Sequence, residues 1–247
     1  MDEVDITAVI NLHREGLLAH ASLLSIAQAK IRAESAGIGV EMVAVLDDPD
    51  EITKAVVQNC DLGSLRTIEV HEGDLGAARN RGVHEAKGHW VAFLDADDLW
   101  GENWLVAAYA AATRDPREIV WHPEVNLYFG LNLHLFRHID MEDPSFEALS
   151  LLLDNYWTSL CFARRALFLE IPYRKTSLTD QIGYEDWAWN METIGAGLLH
   201  KIVSGTAHAI RVKPHSLLEQ TRGAVALPHS SELFRKNVIR ARRRSPK

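Results

Sequence analysis

Cysteine is scarce in this chain of 247 residues. Cys60 and Cys161 are the only two, they lie far apart, and neither belongs to a Cys-x-x-Cys pair. This pattern argues against a disulfide scaffold or a zinc knuckle and suits a reducing compartment. Long apolar runs are also missing, and the acidic N-terminus has too short an apolar part for a signal peptide. We therefore expect a cytoplasmic protein.

Positive charge is in deficit as well. The formal net charge is −8 and the sequence pI is about 5.8, so we do not expect the protein as a whole to bind nucleic acid. Seven of the 26 Lys and Arg residues lie in a short tail, residues 233–247, which contains no acid. A tail of this kind is either a solvated end or a segment attracted to an anionic membrane surface, which would make the protein peripheral to a membrane.

The sequence contains no Walker loop, no Gly-x-Ser-x-Gly elbow and no His-Glu-x-x-His pair. What it does contain is a regular alternation of short apolar runs and segments with helical spacing. The runs predict strands at 6–10, 40–46, 65–70 and 90–98, and the spacing predicts helices at 17–33, 51–58, 74–87 and 102–113. Such alternation indicates an α/β fold with a mostly parallel sheet and helices on both faces.

Acidic residues follow two of the predicted strands. Asp47 and Asp48 come directly after the second, and Asp95, Asp97 and Asp98 lie at the end of the fourth. In open parallel sheets the carboxyl ends of strands form the ligand-binding edge, so both clusters are expected to contribute to one site. Carboxylates packed together repel one another unless a cation or a proton intervenes. Hard oxygen ligands favour Mg²⁺ or Mn²⁺, which commonly binds substrate phosphates as well.

Several stretches together resemble a family 2 glycosyltransferase of the GT-A fold. Residues 73–100, GDLGAARNRGVHEAKGHWVAFLDADDLW, are similar to the helix of that family followed by its Asp-x-Asp motif. Residues 40–51 resemble the strand whose terminal acids hold base and ribose, residues 183–197 the Glu-Asp-Trp motif, and residues 210–220 a late segment from which a His often reaches the metal. The resemblance covers nearly the whole chain.

The resemblance implies a Rossmann-like, mostly parallel central sheet with a small antiparallel and helical acceptor-side region. Residues 1–104 would form the nucleotide-sugar-binding half, residues 105–232 the acceptor-binding and catalytic-base half of the same domain, and residues 233–247 the basic tail. It implies transfer of a sugar from a nucleotide-diphosphate sugar to an acceptor hydroxyl, with inversion and with Mn²⁺ or Mg²⁺ as cofactor. The acceptor, whether a glycan, a lipid-linked sugar or a small molecule, stays undetermined.

Roles follow position by position from the resemblance. Asp97 would bind the metal, Asp95 would hold ribose or phosphate, and Asp98 would support one or the other. Asp47 would meet the nucleobase or ribose, and Arg79 would lie near the nucleotide. The remaining roles fall to Asp186 as the general base that deprotonates the acceptor, and to His215 as a further metal ligand.

The chain departs from the family pattern in two places. The first strand of the family usually ends in Pro-Thr-Tyr-Asn, whereas here Asn11, Leu12, His13 and Arg14 stand in its place. Asn11 and His13 are therefore the candidates for the nucleotide contacts made there, and the identity of the base stays open. In the late segment Pro214 precedes His215, the reverse of the usual order, so His215 is either displaced or a histidine without a ligand.

The case for Asp186 also stands on the residues themselves. It lies at a predicted helix start, where the helix dipole favours an anion, and a general base must be ionised and within reach of the proton it removes. The alternative is that Glu185 and Asp186 only stabilise the first turn of that helix.

Two other functions compete with glycosyl transfer. In haloacid-dehalogenase-like phosphatases an apolar strand also ends in Asp-x-Asp, and Asp95 would then be the nucleophile. That motif expects Thr or Val where Leu99 stands, and it expects a place near the N-terminus. The other alternative is a non-catalytic protein that binds a nucleotide sugar on the same fold.

Overall fold

The structure is a computed structural model that describes residues 4–214 and 216–236. Its strands are β1 (Ile6–Leu12), β2 (Val40–Asp47), β3 (Leu65–Val70), β4 (Trp90–Asp95), β5 (Leu99–Trp100), β6 (Ile119–Gly130), β7 (His134–Arg137), β8 (Phe162–Arg164) and β9 (Leu199–Val212). Its α-helices are α1 (Leu18–Ser35), α2 (Glu51–Asn59), α3 (Leu75–Glu85), α4 (Trp104–Arg114), α5 (Arg165–Glu170), α6 (Glu185–Ala196) and α7 (Leu217–Gly223).

The N-terminal half forms the parallel part of the sheet. Strands β3, β2, β1 and β4 lie side by side in that order, and each pairs in parallel with its neighbour. The pairing of β1 with β4 places Asn11 opposite Asp95. The predicted alternation of strand and helix is confirmed here. Parallel neighbours must be joined by a long crossover connection, and α1, α2 and α3 provide these connections.

The C-terminal half makes the sheet mixed. Strand β8 pairs antiparallel with β4, and β6 follows it, pairing antiparallel with β7 and β8 but parallel with β9. The alternating pattern of residues 119–130 predicts an antiparallel strand. This prediction holds for the pairing of β6 with β7 and β8 but not for its pairing with β9. Alternation assigns side chains to the two faces of a strand and carries no information on the direction of its partners.

Apolar side chains cover both faces of the sheet. Leu23 and Ile26 of α1 and Trp104 of α4 pack on one face with Ile10 of β1. On the other face Val9 of β1 packs with residues of α3, α5 and α6. Alternation along β1 and β4 therefore points Asn11 and Asp95 toward the face that α3 covers.

Local signals account for the helix ends that matter to the site. The Asp74 carboxylate accepts a hydrogen bond from the backbone N–H of Ala77 at 2.8 Å, so it caps the N-terminus of α3. Helix α6 ends at Ala196, and the next residue, Gly197, has a φ of +98° in the left-handed region that favours glycine. Within the described ranges, no helix is long and apolar enough to span a membrane.

The turn between α3 and β4 depends on Gly88. A Cβ built there would lie 2.6 Å from the carbonyl carbon of Ile6 and from the backbone nitrogen of Thr7. We expect Gly88→Ala to lower the free energy of unfolding by about 1–3 kcal/mol, because neither backbone atom can move without disturbing β1.

Denaturant titration of both variants checks this, with Gly223→Ala as the control. Gly223 has nothing within 4 Å of the added methyl group, so its substitution should leave stability nearly unchanged. Equal stability of the two variants would contradict the close approach of this turn to β1.

Candidate active site

The acidic loop, residues 95–98, leaves the carboxyl end of β4 and turns at once. The backbone N–H of Asp98 donates to the carbonyl oxygen of Asp95 at 3.0 Å, which brings the three carboxylates together. Asp98 is only 5% exposed, and burial together with the charges of Asp97 and Asp95 raises its pKa well above the usual range. The loop therefore concentrates negative charge where water screens it poorly.

The end of β9 lies against this loop. The backbone N–H of Arg211 donates to Oδ1 of Asp98 at 2.7 Å, and its Nε donates to the carbonyl oxygen of Asp97 at 3.2 Å. Lys213 places Nζ 2.7 Å from Oδ2 of Asp97. The N-terminal and C-terminal halves thus share the same carboxylate cluster.

Arg79 lies beneath the loop and is fully buried. Its Nη2 lies 3.0 Å from each carboxylate oxygen of Asp95 and 2.9 Å from the hydroxyl of Ser159, and its Nη1 lies 2.8 Å from Oε1 of Glu185. Burial lowers the pKa of Arg79, but the two carboxylates outweigh it and raise the pKa overall. The guanidinium therefore connects the acidic loop to the start of α6.

Asp186 lies in the first turn of α6. Its Oδ1 accepts a hydrogen bond from the backbone N–H of Trp187 at 2.7 Å, and its Oδ2 accepts from Nδ2 of Asn155 at 3.4 Å. Burial and the neighbouring Glu185 raise its pKa to about 7, against the opposing effect of Arg79. The residue before the helix, Tyr184, has a φ of +55°, a conformation that non-glycine residues adopt rarely and often at functional sites.

Asp47 ends β2 and is 6% exposed. Its Oδ1 accepts from the backbone N–H groups of Glu72 and Gly73 at 2.7 and 3.1 Å, and its Oδ2 accepts from that of Asp74 at 3.3 Å. The carboxylate therefore holds the segment between β3 and α3 against the end of β2. Contact of Asp47 with a nucleobase or ribose stays a prediction.

Asn11 and His13 lie at the end of β1, between Asp47 and the acidic loop. Asn11 is 4% exposed, and within residues 4–214 and 216–236 neither polar atom of its amide has a hydrogen-bond partner. His13 is exposed, and its Nδ1 contacts the backbone carbonyl oxygen of Asp47. A buried amide without partners is costly for a protein, so it marks a place where a ligand could supply them.

The site residues expected from the sequence therefore collect at one edge of the sheet, with Asp186 joined to them through Glu185 and Arg79. The exception is His215, which lies outside the described residues. The donors present are carboxylate oxygens, the ligands that Mg²⁺ and Mn²⁺ prefer. Among the described residues no group of three or more His, Cys, Asp or Glu side chains is arranged to hold a metal ion. One or two carboxylates fit a divalent ion whose remaining ligands are water and substrate phosphates.

Sequence reasoning missed Lys213, Ser159 and Tyr128. Burial, together with the charges of Asp98 and Asp186, raises the pKa of Tyr128 to about 12. It stacks on His134 with ring centroids 4.3 Å apart. The alternating pattern of β6 gives Tyr128 and Asn126 a common face, but nothing local in the sequence indicates which residues that face meets.

The fold and the position of the site define a class of protein. A parallel sheet with carboxylates at its carboxyl edge, extended by antiparallel strands, is the architecture expected of a GT-A glycosyltransferase. The model of the family described as glycosyl transferase family 2 matches residues 8–171, which is more than half of the chain. The chain therefore belongs to glycosyl transferase family 2, and the expected enzyme class is confirmed at the level of the family.

Solved structures are similar in fold at low sequence identity. TarS of S. aureus superposes with a TM-score of 0.63 at 18% identity, covering 90% of this chain and 39% of TarS. TarS 1–349 in complex with UDP-GlcNAc gives 0.61 at 18% identity, covering 87% of this chain and 61% of that one. The mannosyltransferase PcManGT from Pyrobaculum calidifontis, in complex with GDP-Man and Mn²⁺, gives 0.59 at 16% identity, covering 85% and 58%.

The chain spans less than two thirds of the length of each of these structures. None of the curated proteins matches the sequence. Family membership and fold confirm the expected family 2 glycosyltransferase and the α/β fold class, and they displace the haloacid-dehalogenase-like alternative.

The buried ion pairs of Arg79 with Asp95 and Glu185 lead to a prediction about stability. We expect Arg79→Met to lower the free energy of unfolding by roughly 3–5 kcal/mol, because Asp95 and Glu185 then lose the charge that compensates them. Urea titration measures the loss.

Arg81→Met is the matched control, two residues along α3. Arg81 is exposed and its Nε lies 2.7 Å from Glu72, so its removal should change the free energy of unfolding by less than about 1 kcal/mol. If both substitutions cost the same, Arg79 does not connect the two parts of the site as described.

Proposed function

We propose that this chain transfers a sugar from a nucleotide-diphosphate sugar to an acceptor hydroxyl, with Asp186 as general base and inversion at the anomeric carbon. The observation that carries the proposal is the acidic loop at the carboxyl edge of the parallel strands in a member of glycosyl transferase family 2. The complexes of similar folds with UDP-GlcNAc and with GDP-Man support a nucleotide-sugar donor. Because those two donors differ in both base and sugar, base and sugar stay open here.

The donor would lie along the ends of β1, β2 and β4. Asn11 offers an amide N–H donor and a carbonyl acceptor without partners among the described residues, which suits the polar edges of a nucleotide. Asp95 would accept from ribose or contact phosphate, while Arg79 holds its carboxylate in place from below. Asp47 would act through the segment 72–74 that it holds, and His13 lies beside it.

Asp97 would hold Mn²⁺ or Mg²⁺ together with the diphosphate, and Asp98 would support that carboxylate. The presence of Mn²⁺ with GDP-Man in a similar fold supports this assignment. When bound, the metal acts as a Lewis acid that stabilises charge on the leaving diphosphate. His215 is proposed as a further ligand on the strength of the family resemblance alone.

Asp186 would act on the other substrate. An inverting transfer needs the acceptor oxygen to attack the anomeric carbon from the face opposite the leaving diphosphate, while its proton passes to a base. Asp186 suits this role because a pKa of about 7 balances ionisation against proton affinity near neutral pH. Glu185 would position it, since it both raises the pKa of Asp186 and anchors the start of α6 to Arg79.

The acceptor carries a hydroxyl and is otherwise undefined. A glycan, a lipid-linked sugar or a small molecule would each satisfy the proposed chemistry. We keep the cytoplasm as the proposed location, with membrane contact through the basic tail 233–247. Residues 237–247 of that tail lie outside the described part of the chain.

Ligand binding tests the donor side of the proposal. A panel of nucleoside diphosphates and nucleotide sugars, including UDP and GDP, should raise the melting temperature, because a ligand selective for the native state stabilises it. At least one member should give a larger shift with Mn²⁺ than with EDTA.

Asp97→Asn is expected to abolish that metal-dependent increment while keeping part of the shift seen in EDTA, because it removes the metal carboxylate and leaves the Asn11 region intact. The proposal fails if no member of the panel produces a metal-dependent shift in the unsubstituted protein.

Turnover tests the assignment of Asp186. We expect kcat/KM to rise with pH through about 7, because the base must be ionised, and Asp186→Asn to lower kcat by about 10²–10⁴-fold while the nucleotide-induced thermal shift remains. Glu185→Gln should move the acid limb to lower pH by about one unit, because a like charge beside Asp186 is removed.

The control is Asp180→Asn, an exposed carboxylate in the segment before α6 that accepts from Ser177. It should leave both kcat and the pH profile unchanged. Turnover that survives in Asp186→Asn would show that another group is the base, and nucleotide binding without turnover in the unsubstituted protein would favour the non-catalytic alternative.

A further inference from the structure

Lys213 occupies an unusual position for a lysine. It directly follows the end of β9, and its Nζ lies 2.7 Å from Oδ2 of Asp97, the carboxylate proposed above to bind metal. The Asp97 side chain is 14% exposed and that of Lys213 is 32% exposed, so the pair is partly shielded from water. Ion pairs in such surroundings are stronger than fully exposed ones.

The carboxylates around Lys213 come from separate parts of the chain. Burial lowers the pKa of Lys213, but Asp97, Glu15 and Asp98 outweigh it and raise the pKa overall. Glu15 lies in the segment between β1 and α1, where its Oε2 accepts from the backbone N–H of His13 at 2.6 Å. The charges of acids from two loops therefore act on the ammonium group, which offsets the repulsion between these acids.

We propose that Lys213 is the resident counter-cation of Asp97, that a divalent cation must displace it, and that the displaced ammonium pairs with the diphosphate of the nucleotide. This inference rests on the proposed function. An ammonium and a divalent cation compete for the same carboxylate oxygen, so the bare ion should bind weakly to the free protein. A diphosphate at the loop supplies new negative charge for the displaced lysine, and this couples metal binding to nucleotide binding.

The chemistry of lysine suits such an exchange. Its ammonium is a compact charge with three donors on a flexible stem, so it can move from a carboxylate to a phosphate by changing side-chain torsions alone. The backbone at this point is held independently, because Arg211 donates its N–H to Asp98 and its Nε to the carbonyl of Asp97. Coupling between two ligands is reciprocal, so each should tighten the binding of the other.

The first test measures the binding of Mn²⁺ in the absence of nucleotide. The electron paramagnetic resonance signal of free Mn²⁺ reports how much of the ion is bound. Lys213→Met should tighten the Kd for Mn²⁺ by about tenfold, because the competing cation is gone. With saturating Mn²⁺ the same substitution should weaken binding of UDP or GDP, whichever the unsubstituted protein binds, by about tenfold, because no displaced ammonium remains to pair with the diphosphate. The enhancement of Mn²⁺ affinity by that nucleotide should shrink correspondingly.

Lys54→Met is the matched control. Lys54 lies 2.8 Å from Glu69 and is 29% exposed, close to the values for Lys213, but its partner is not in the acidic loop. It should leave the affinities for Mn²⁺ and nucleotide unchanged, which separates the specific pair from the general loss of a positive charge. Lys213→Arg keeps a cation beside Asp97 and should bind Mn²⁺ as weakly as the unsubstituted protein.

The results separate this inference from the proposed function. If Lys213→Met leaves Mn²⁺ affinity unchanged or weakens it while Mn²⁺ still promotes nucleotide binding, the counter-cation role is overturned and the transferase proposal stands. If neither protein shows Mn²⁺-dependent nucleotide binding, the proposed donor site is overturned and the inference falls with it.

Discussion

The buried guanidinium of Arg79 is the interaction on which the rest of the site depends. It contacts both oxygens of Asp95 at the end of β4 and one oxygen of Glu185 at the start of α6. Asp95 and Glu185 are 90 residues apart in the sequence, yet one side chain sets the relation between them. A buried charge tolerates little displacement of its partners, because losing either one leaves an uncompensated ion in a weakly polarisable interior.

The site has two electrostatically different parts, the acidic loop and the start of α6. The acidic loop gathers three carboxylates, and it is balanced from outside by Lys213 and from beneath by Arg79. At the start of α6, burial and the neighbouring Glu185 raise the pKa of Asp186 to about 7. The carboxylates of the acidic loop therefore stay ionised only with cations beside them. At the start of α6, by contrast, Asp186 can gain or lose a proton near neutral pH.

Much of the fold follows from local sequence patterns, and some of it does not. The predicted strand at 65–70 coincides with β3, and Asp74 caps α3 as its position before the helix indicates. Strand β6 was expected to be antiparallel, but it also pairs in parallel with β9 over most of its length. The role of Arg79 was not foreseeable from its helix, because a polar helix residue is ordinarily solvated. Its burial depends on Asp95 and on Glu185, which is 106 residues away in the sequence.

The sequence by itself determined the alternation of strands and helices, the family, and the presence of acids at the ends of β2 and β4, because these depend on periodicity and on residues close together in the chain. The tertiary structure alone decided what those acids contact. Asp47 holds the segment 72–74, Asp97 pairs with Lys213, and Asn11 lies opposite Asp95 in the sheet. Charges and hydrogen bonds act through space over a few ångströms, and the folded chain brings residues to that distance irrespective of their separation in sequence.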